Sequence, residues 1–324
     1  DDAQNCGVCG RACFPGDACT SAVCPPVSAD LARASVNPRD VDAVPATSEI
    51  LYVDGAATGE LWALGETAPR ASGLGDVRRL DADAAAAFVT GTVDVGPARF
   101  DVIYQVNAVG PAPIELTRWD RAGASAPVLL DLAATATDVW FAVAGNTQLF
   151  RAVRGTNGQH GGEDLGELAL SVAPAAATEL LVGTGDATQG RVRGYDPATE
   201  QAGRAFLALG RSVDRVAYEP GRQIGFVASL VDGSVWWYDA LDATRTPSLL
   251  WRTGQPTASM DLHADADGVY WTDLTAGLVM GLRYDTNPAT WILYWYGGRP
   301  TGVTALGSSV YWADLDGGVF EAPK

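Results

Sequence analysis

The stretch Val269-Tyr270-Trp271-Thr272-Asp273 returns 41 residues later as Val310-Tyr311-Trp312-Ala313-Asp314. Five looser copies precede the pair: Leu51-Tyr52-Val53-Asp54, Ala87-Phe88-Val89-Thr90, Val139-Trp140-Phe141-Ala142, Leu180-Leu181-Val182-Gly183 and Gly225-Phe226-Val227-Ala228. Their anchors are Tyr52, Phe88, Trp140, Leu181, Phe226, Tyr270 and Tyr311, with a mean spacing of about 43 residues. β-Branched and aromatic residues in short runs read as strands. A repeat of this length holding several strands is the signature of a propeller blade.

Each anchor run is followed by a turn and another strand. Asp232-Gly233 precedes Val235-Trp236-Trp237-Tyr238, Asp316-Gly317-Gly318 precedes Val319-Phe320, and Gly59 precedes Leu61-Trp62-Ala63-Leu64. Asp-Gly supplies the positive φ that a tight hairpin needs. A third run follows, as in Ser248-Leu249-Leu250-Trp251 and Trp291-Ile292-Leu293-Tyr294-Trp295-Tyr296, and a fourth precedes the next anchor, as in Thr301–Ala305. Four strands per unit make a blade. No apolar stripe of helical period and useful length appears. The Ala-rich stretches at 83–87 and 173–177 are too short for a helix, and the second contains Pro174.

The Tyr270-Trp271-Thr272-Asp273 run and its copy at 311–314 resemble the YWTD propeller family and, more loosely, NHL-type propellers. The resemblance implies wedge-shaped blades packed by aromatic rings around a central channel. Family members commonly have six blades, which is the alternative count. Residues 28–324 at about 43 per unit make nearly seven units, so the expected fold is an all-β, seven-bladed β-propeller. The long step between Phe88 and Trp140 contains an extra run, Phe100–Val106, that can lengthen one blade by a long hairpin. The last unit stops at Lys324 without its outermost strand, and residues 28–36 are expected to supply it, closing the ring and removing an exposed edge.

All five cysteines, Cys6, Cys9, Cys13, Cys19 and Cys24, lie ahead of this repeat, interspersed with Gly7, Gly10 and Gly16. Close, Gly-punctuated spacing reads as a disulfide module without an apolar core of its own. Zinc is the rival, since Cys6 and Cys9 resemble half of a zinc ribbon, although a second such pair and a nearby His pair are absent. The segment from Asn5 to Cys24 is similar to the stigma-specific (Stig1-like) Cys-rich motif, of a kind found before repeat domains in secreted proteins of myxobacterial type. That resemblance covers roughly 20 residues and implies a protein outside the cytoplasm. The odd cysteine is expected to pair upstream of Asp1 or with another chain. A precursor carrying a secretion signal is expected in turn. The domain reading is a Cys-rich module at 1–24, a Pro25-Pro26 linker spanning 25–27 and a propeller at 28–324.

Acidic residues outnumber Lys and Arg by 39 to 22, a net charge of −17, which argues against nucleic acid as partner. The apolar runs are too short to span a bilayer as helices. Two histidines leave little scope for His-based catalysis. Met260–Gly268 brings together Asp261, Asp265 and Asp267, a candidate Ca²⁺ set, with turn formation as the simpler role. Leu80-Asp81-Ala82-Asp83 occupies the equivalent place before the Phe88 strand and favours a structural use. Asp81, Asp261 and Glu219 are the candidate channel carboxylates of a hydrolase or lyase, with Arg78-Arg79 placed to neutralise some of them. His160 lies in a Gly-rich segment read as a surface connection. The strand Trp291, Tyr294, Trp295 and Tyr296 is aromatic on both faces and is the candidate surface for a second copy or a glycan.

These features favour a secreted or cell-surface interaction or structural protein. It would use the propeller as a binding platform and self-assemble through the Cys module and the aromatic strand. A lectin-like carbohydrate binder and a propeller hydrolase or lyase are the alternatives. Scarce catalytic residue types weigh against an enzyme.

Overall fold

The structure, a computed structural model, describes residues 29–35, 37–55, 58–108, 112–121, 128–158, 160–176, 179–240, 246–284 and 290–324. The five cysteines, the proline linker and the Stig1-like segment lie outside the described residues.

Seven antiparallel sheets of four strands each follow one another along the chain, and the described residues contain no helix. Each blade begins with an innermost strand: Pro38–Val44, Arg79–Ala82, Leu129–Ala134, Ala169–Ala176, Arg215–Glu219, Met260–Ala264 and Pro300–Leu306. These seven strands touch in cyclic order, and the last touches the first, so the ring is closed. The chain is a seven-bladed β-propeller. The seventh sheet takes its outermost strand from the start of the domain: Asp30–Ala34 pairs with Gly318–Pro323, setting Asp30 against Glu321 and Leu31 against Phe320. This covers an edge that would otherwise present unpaired backbone groups.

All seven anchors fall in the second strand of their blades. Glu49–Asp54 holds Tyr52, Ala86–Val95 holds Phe88, Asp138–Val143 holds Trp140, and Glu179–Gly185 holds Leu181. Ile224–Ser229 holds Phe226, Gly268–Asp273 holds Tyr270, and Ser309–Asp314 holds Tyr311. A second strand has a sheet neighbour on either side and a packed blade on either face. It therefore reads as a continuous apolar run without polar alternation. Every residue of Gly268–Asp273 is buried. Successive side chains point to opposite faces, so Trp271 joins the apolar cluster between blades 5 and 6 and Tyr270 the cluster between blades 6 and 7. Each of the seven seams has one such cluster. The extra run Phe100–Val106 belongs to the third strand of blade 2. There Ala86–Val95 and Ala98–Asn107 pair along ten residues each and project beyond their neighbours.

The aspartate ending the decisive stretch secures a turn. Asp273 Oδ1 accepts the backbone N–H groups of Thr275 and Ala276, both at 3.0 Å, and the Thr257 hydroxyl at 2.6 Å. Asp314 does the same in blade 7, accepting Asp316 N–H at 2.9 Å and Arg299 N–H at 3.0 Å. Each carboxylate thus holds the hairpin after the second strand to the segment that enters its blade. Gly281 explains another invasion of space: a β-carbon there would stand 2.8 Å from the Tyr294 ring and 2.9 Å from the Tyr270 ring. Its absence lets the two rings meet edge to face across the strand, with centroids 6.0 Å apart.

Candidate functional site: channel and mouth

The innermost strand of each blade is an edge strand facing the ring axis, so its backbone N–H groups need partners. Aspartates of the preceding blade supply them. Asp40 accepts Leu80 N–H at 3.0 Å, and Asp42 accepts Ala82 N–H at 2.8 Å. Asp81 accepts Ala134 N–H, Asp131 accepts Val172 N–H at 3.1 Å, and Asp261 accepts Val303 N–H at 2.9 Å. Four of the seven seams are stapled in this way, with blade 1 giving two bonds.

These five carboxylates, together with Arg79, Arg215 and His263, line a cavity of about 310 Å³ along the axis. Arg79 is nearly buried, with its guanidinium 3.6 Å from Asp261 and 3.9 Å from Asp40. Burial opposes its charge, but attraction to Asp40, Asp261 and Asp131 outweighs this and holds the arginine protonated. One cation cannot balance the acids around it. Burial pushes the Asp131 carboxyl up to about 7 against the pull of Arg79, and pushes Asp81 up to about 6. Asp40 and Asp42 are also raised well above the usual carboxylate range, by burial first and then by Asp261 and Asp81 respectively. Burial lowers the affinity of His263 for a proton. Four of the five main-chain staples, Asp40, Asp42, Asp81 and Asp131, thus have carboxyls whose hold on a proton burial has raised.

At the end where the innermost strands begin, the channel widens into a mouth of about 470 Å³. Arg39, Arg78, Arg79, Arg215 and Arg299 line it, contributed by blades 1, 2 and 5 and the segment entering blade 7. Half-buried Leu130, Leu170, Leu230, Leu274 and Leu315 line the remainder, one from each of blades 3 to 7. Asp214 is the one acid among the lining residues, and its carboxylate is occupied by the Ser212 hydroxyl at 2.6 Å and Leu230 N–H at 2.8 Å. Arg78 pairs with Asp76 at 2.5 Å, and Arg299 lies 3.6 Å from Asp316.

The residues singled out in the sequence are distributed differently. Asp81 and Asp261 do line the channel, but Glu219 does not join them. It folds onto its own turn, accepting the backbone N–H groups of Gly221 and Arg222. Asp261, Asp265 and Asp267 do not form one site. Asp261 faces the channel, while Asp265 and Asp267 grip the Lys324 ammonium at 2.5 and 2.9 Å. Asp265 also accepts Asp267 N–H at 2.9 Å and Gly268 N–H at 3.0 Å, as Asp83 accepts Ala85 and Ala86 N–H in blade 2. These are turn carboxylates, and among the described residues no three His, Cys, Asp or Glu side chains gather as metal donors.

The aromatic strand Thr290–Tyr296 needs a similar correction. Tyr294 is fully buried and Trp291 and Trp295 are part-buried, because the outer strand of blade 6 is covered on both faces. Trp291 packs with Trp251 and Trp271 towards blade 5. Tyr294 and Trp295 pack on Trp312 of blade 7. The side chain of Tyr296 lies outside the described set. His160 opens the outermost strand of blade 3, opposite Arg151. The channel and mouth positions not singled out in the sequence are Asp40, Asp42, Asp131, Arg39, Arg215, Arg299 and the mouth leucines. The signal for the aspartates was present: an acid inside a strand otherwise apolar, about one blade before a matching strand.

Comparison with known proteins places this geometry in a fold. No family model matches the chain, and no curated protein matches it. Solved β-propellers are similar in structure. A chain of a nidogen/laminin complex superposes with a TM-score of 0.53 at 10% identity, over 77% of this chain and 96% of that one. The β-propeller domain of Cps50 (Swd1) from Myceliophteria thermophila superposes with a TM-score of 0.63 at 9% identity, over 91% of this chain and 98% of that one. At such identities the likeness is one of fold.

Proposed function

We propose that this chain is an interaction protein that acts outside the cytoplasm, presenting the channel mouth as the binding face of a rigid propeller. The observation that carries this reading is the ring of five half-buried leucines standing with arginines around an open depression of about 470 Å³. Arginine beside apolar side chains in a concave, partly desolvated surface is the composition of an interface centre. The alternative of a channel enzyme loses support because each of the five channel acids is bonded to main chain of the next blade. An acid committed to a staple is poorly placed to transfer protons to a substrate. A role outside the cytoplasm is supported by the crowding of all five cysteines into the first 24 residues. One structural neighbour was solved in a complex of two proteins, which accords with the same reading.

The test replaces Leu230 and Leu274 with Glu in the full chain. A partner identified by cross-linking on the wild-type protein should fail to bind the variant, while the thermal midpoint stays within a few degrees. A partner bound equally by both proteins would remove the mouth from consideration.

A further inference from the structure

We infer that the arginines of the mouth form a carboxylate-binding site, and that the mouth takes an acidic, aliphatic-rich segment of a protein partner. This rests on the mouth being the binding face and names what it recognises.

The arginines are left with capacity to bind. The chain carries 39 acidic residues against 22 basic ones, so counter-ions are plentiful on its surface. Even so, neither Arg39 nor Arg215 has a carboxylate partner among the described residues. Arg215 donates to the Asp214 carbonyl, at 2.6 Å. The Nε atoms of Arg39, Arg78 and Arg215 are buried and lack a hydrogen-bond acceptor among the described residues, as do those of Arg151, Arg154, Arg193 and Arg211 elsewhere. A buried donor without an acceptor is costly, and a ligand that supplies one recovers that cost.

Geometry selects the ligand. Arg299, Arg39 and Arg78 come from the adjacent blades 7, 1 and 2 and form a basic arc. The leucines of blades 3 to 7 form the apolar arc facing it, with Arg215 of blade 5 set among them. A guanidinium presents parallel N–H groups that match a carboxylate in two-point fashion. Behind the rim, Arg79 is already held among Asp40, Asp131 and Asp261. Its guanidinium is engaged there by Asp40 and Asp261, so the carboxylate stays at the mouth, where its neighbours are leucines. A peptide that alternates acidic and aliphatic side chains satisfies both arcs. A nucleic acid does not fit: the net charge of −17 repels a polyanion, and leucines offer bases no stacking surface.

The test is a selection from a phage-displayed library of random dodecapeptides on the full chain. Recovered peptides should combine Asp or Glu with Leu, Ile or Val. A synthetic peptide of recovered sequence should bind the Arg39→Gln/Arg215→Gln chain about tenfold or more weakly, a difference typical of lost charge pairs. Arg39→Lys/Arg215→Lys, which keeps charge without the planar fork, should fall between. Binding to the unaltered chain should weaken with added salt, an arm that needs no variant. Recovery of peptides without acids, recovery of none, or binding indifferent to salt and to both arginine exchanges would overturn the inference. Loss of binding in Leu230→Glu/Leu274→Glu with retention in Arg39→Gln/Arg215→Gln would leave the mouth as binding face and overturn only the carboxylate assignment.

Discussion

Asp261 in the innermost strand of blade 6 accepts the backbone N–H of Val303 in the innermost strand of blade 7, at 2.9 Å. Two residues separated by 42 positions are joined because an edge strand needs acceptors and the neighbouring blade has a carboxylate at the right height. Asp261→Ala leaves that N–H facing the channel without its protein acceptor. The expected loss is about 1–3 kcal/mol in denaturant unfolding. Asp261→Asn, which keeps an acceptor oxygen, should lose less.

The raised carboxyls make stability depend on pH in an unusual direction. Burial lifts the Asp131 carboxyl to about 7, whereas an aspartate in the unfolded chain releases its proton near 3.8. Between those values the folded chain holds a proton that the unfolded chain has lost. Stability from this group is therefore complete in acid and fades as pH rises towards 7. Unfolding of wild type and Asp131→Asn between pH 5 and 8 checks the sign. The difference in stability should shift in favour of the variant by about 1–2 kcal/mol towards pH 8, allowing for water in the channel.

Arg79→Leu removes the cation from among Asp40, Asp131 and Asp261. Breaking a buried charge cluster costs about 3–5 kcal/mol when the partners remain ionised. The cost should be larger at pH 8 than at pH 5, where the carboxyls take up protons instead. Parallel melts at the two pH values measure it.

Tyr294 carries a hydroxyl that is buried without a hydrogen-bond partner among the described residues. Tyr294→Phe should be neutral or stabilising by up to about 1 kcal/mol. Tyr294→Ala should cost about 3–5 kcal/mol by opening a cavity against Trp312 and Tyr270. An aromatic side chain displayed for a partner would give little change in either case.

Removing residues 1–36 takes away the strand Asp30–Ala34 and uncovers the edge of Gly318–Pro323. The thermal midpoint should fall, and the shortened chain should associate through the bare edge, measurable by light scattering.

The fold was legible because its information is local and repeated. Tyr270-Trp271 and its six counterparts mark second strands, which are buried on both faces and cannot tolerate polar alternation. The site was less legible. Leu230, Leu274 and Leu315 follow their second strands as ordinary turn residues, and only closure of the ring brings them to one mouth. Arg39 and Arg215 stand four blades apart in sequence for the same reason. The aromatic strand Trp291–Tyr296 reads as a displayed surface because nothing in the sequence shows what lies over an outermost strand, whereas Trp251 and Trp312 cover it from either side. Asp265 and Asp267 were close in sequence to Asp261, but the pleat sends Asp261 to the channel and the turn gives the other two to Lys324.

The proposed function divides labour in the ring: channel acids hold the blades together, and the mouth binds the partner. Partner affinity and melting midpoint, measured side by side for Asp81→Asn/Asp261→Asn and for Leu230→Glu/Leu274→Glu, test that division. The first variant should melt at a changed temperature and bind as wild type does, and the second should melt unchanged and fail to bind. Loss of binding in the channel variant, with binding intact in the mouth variant, would place recognition in the channel and remove the mouth as binding face.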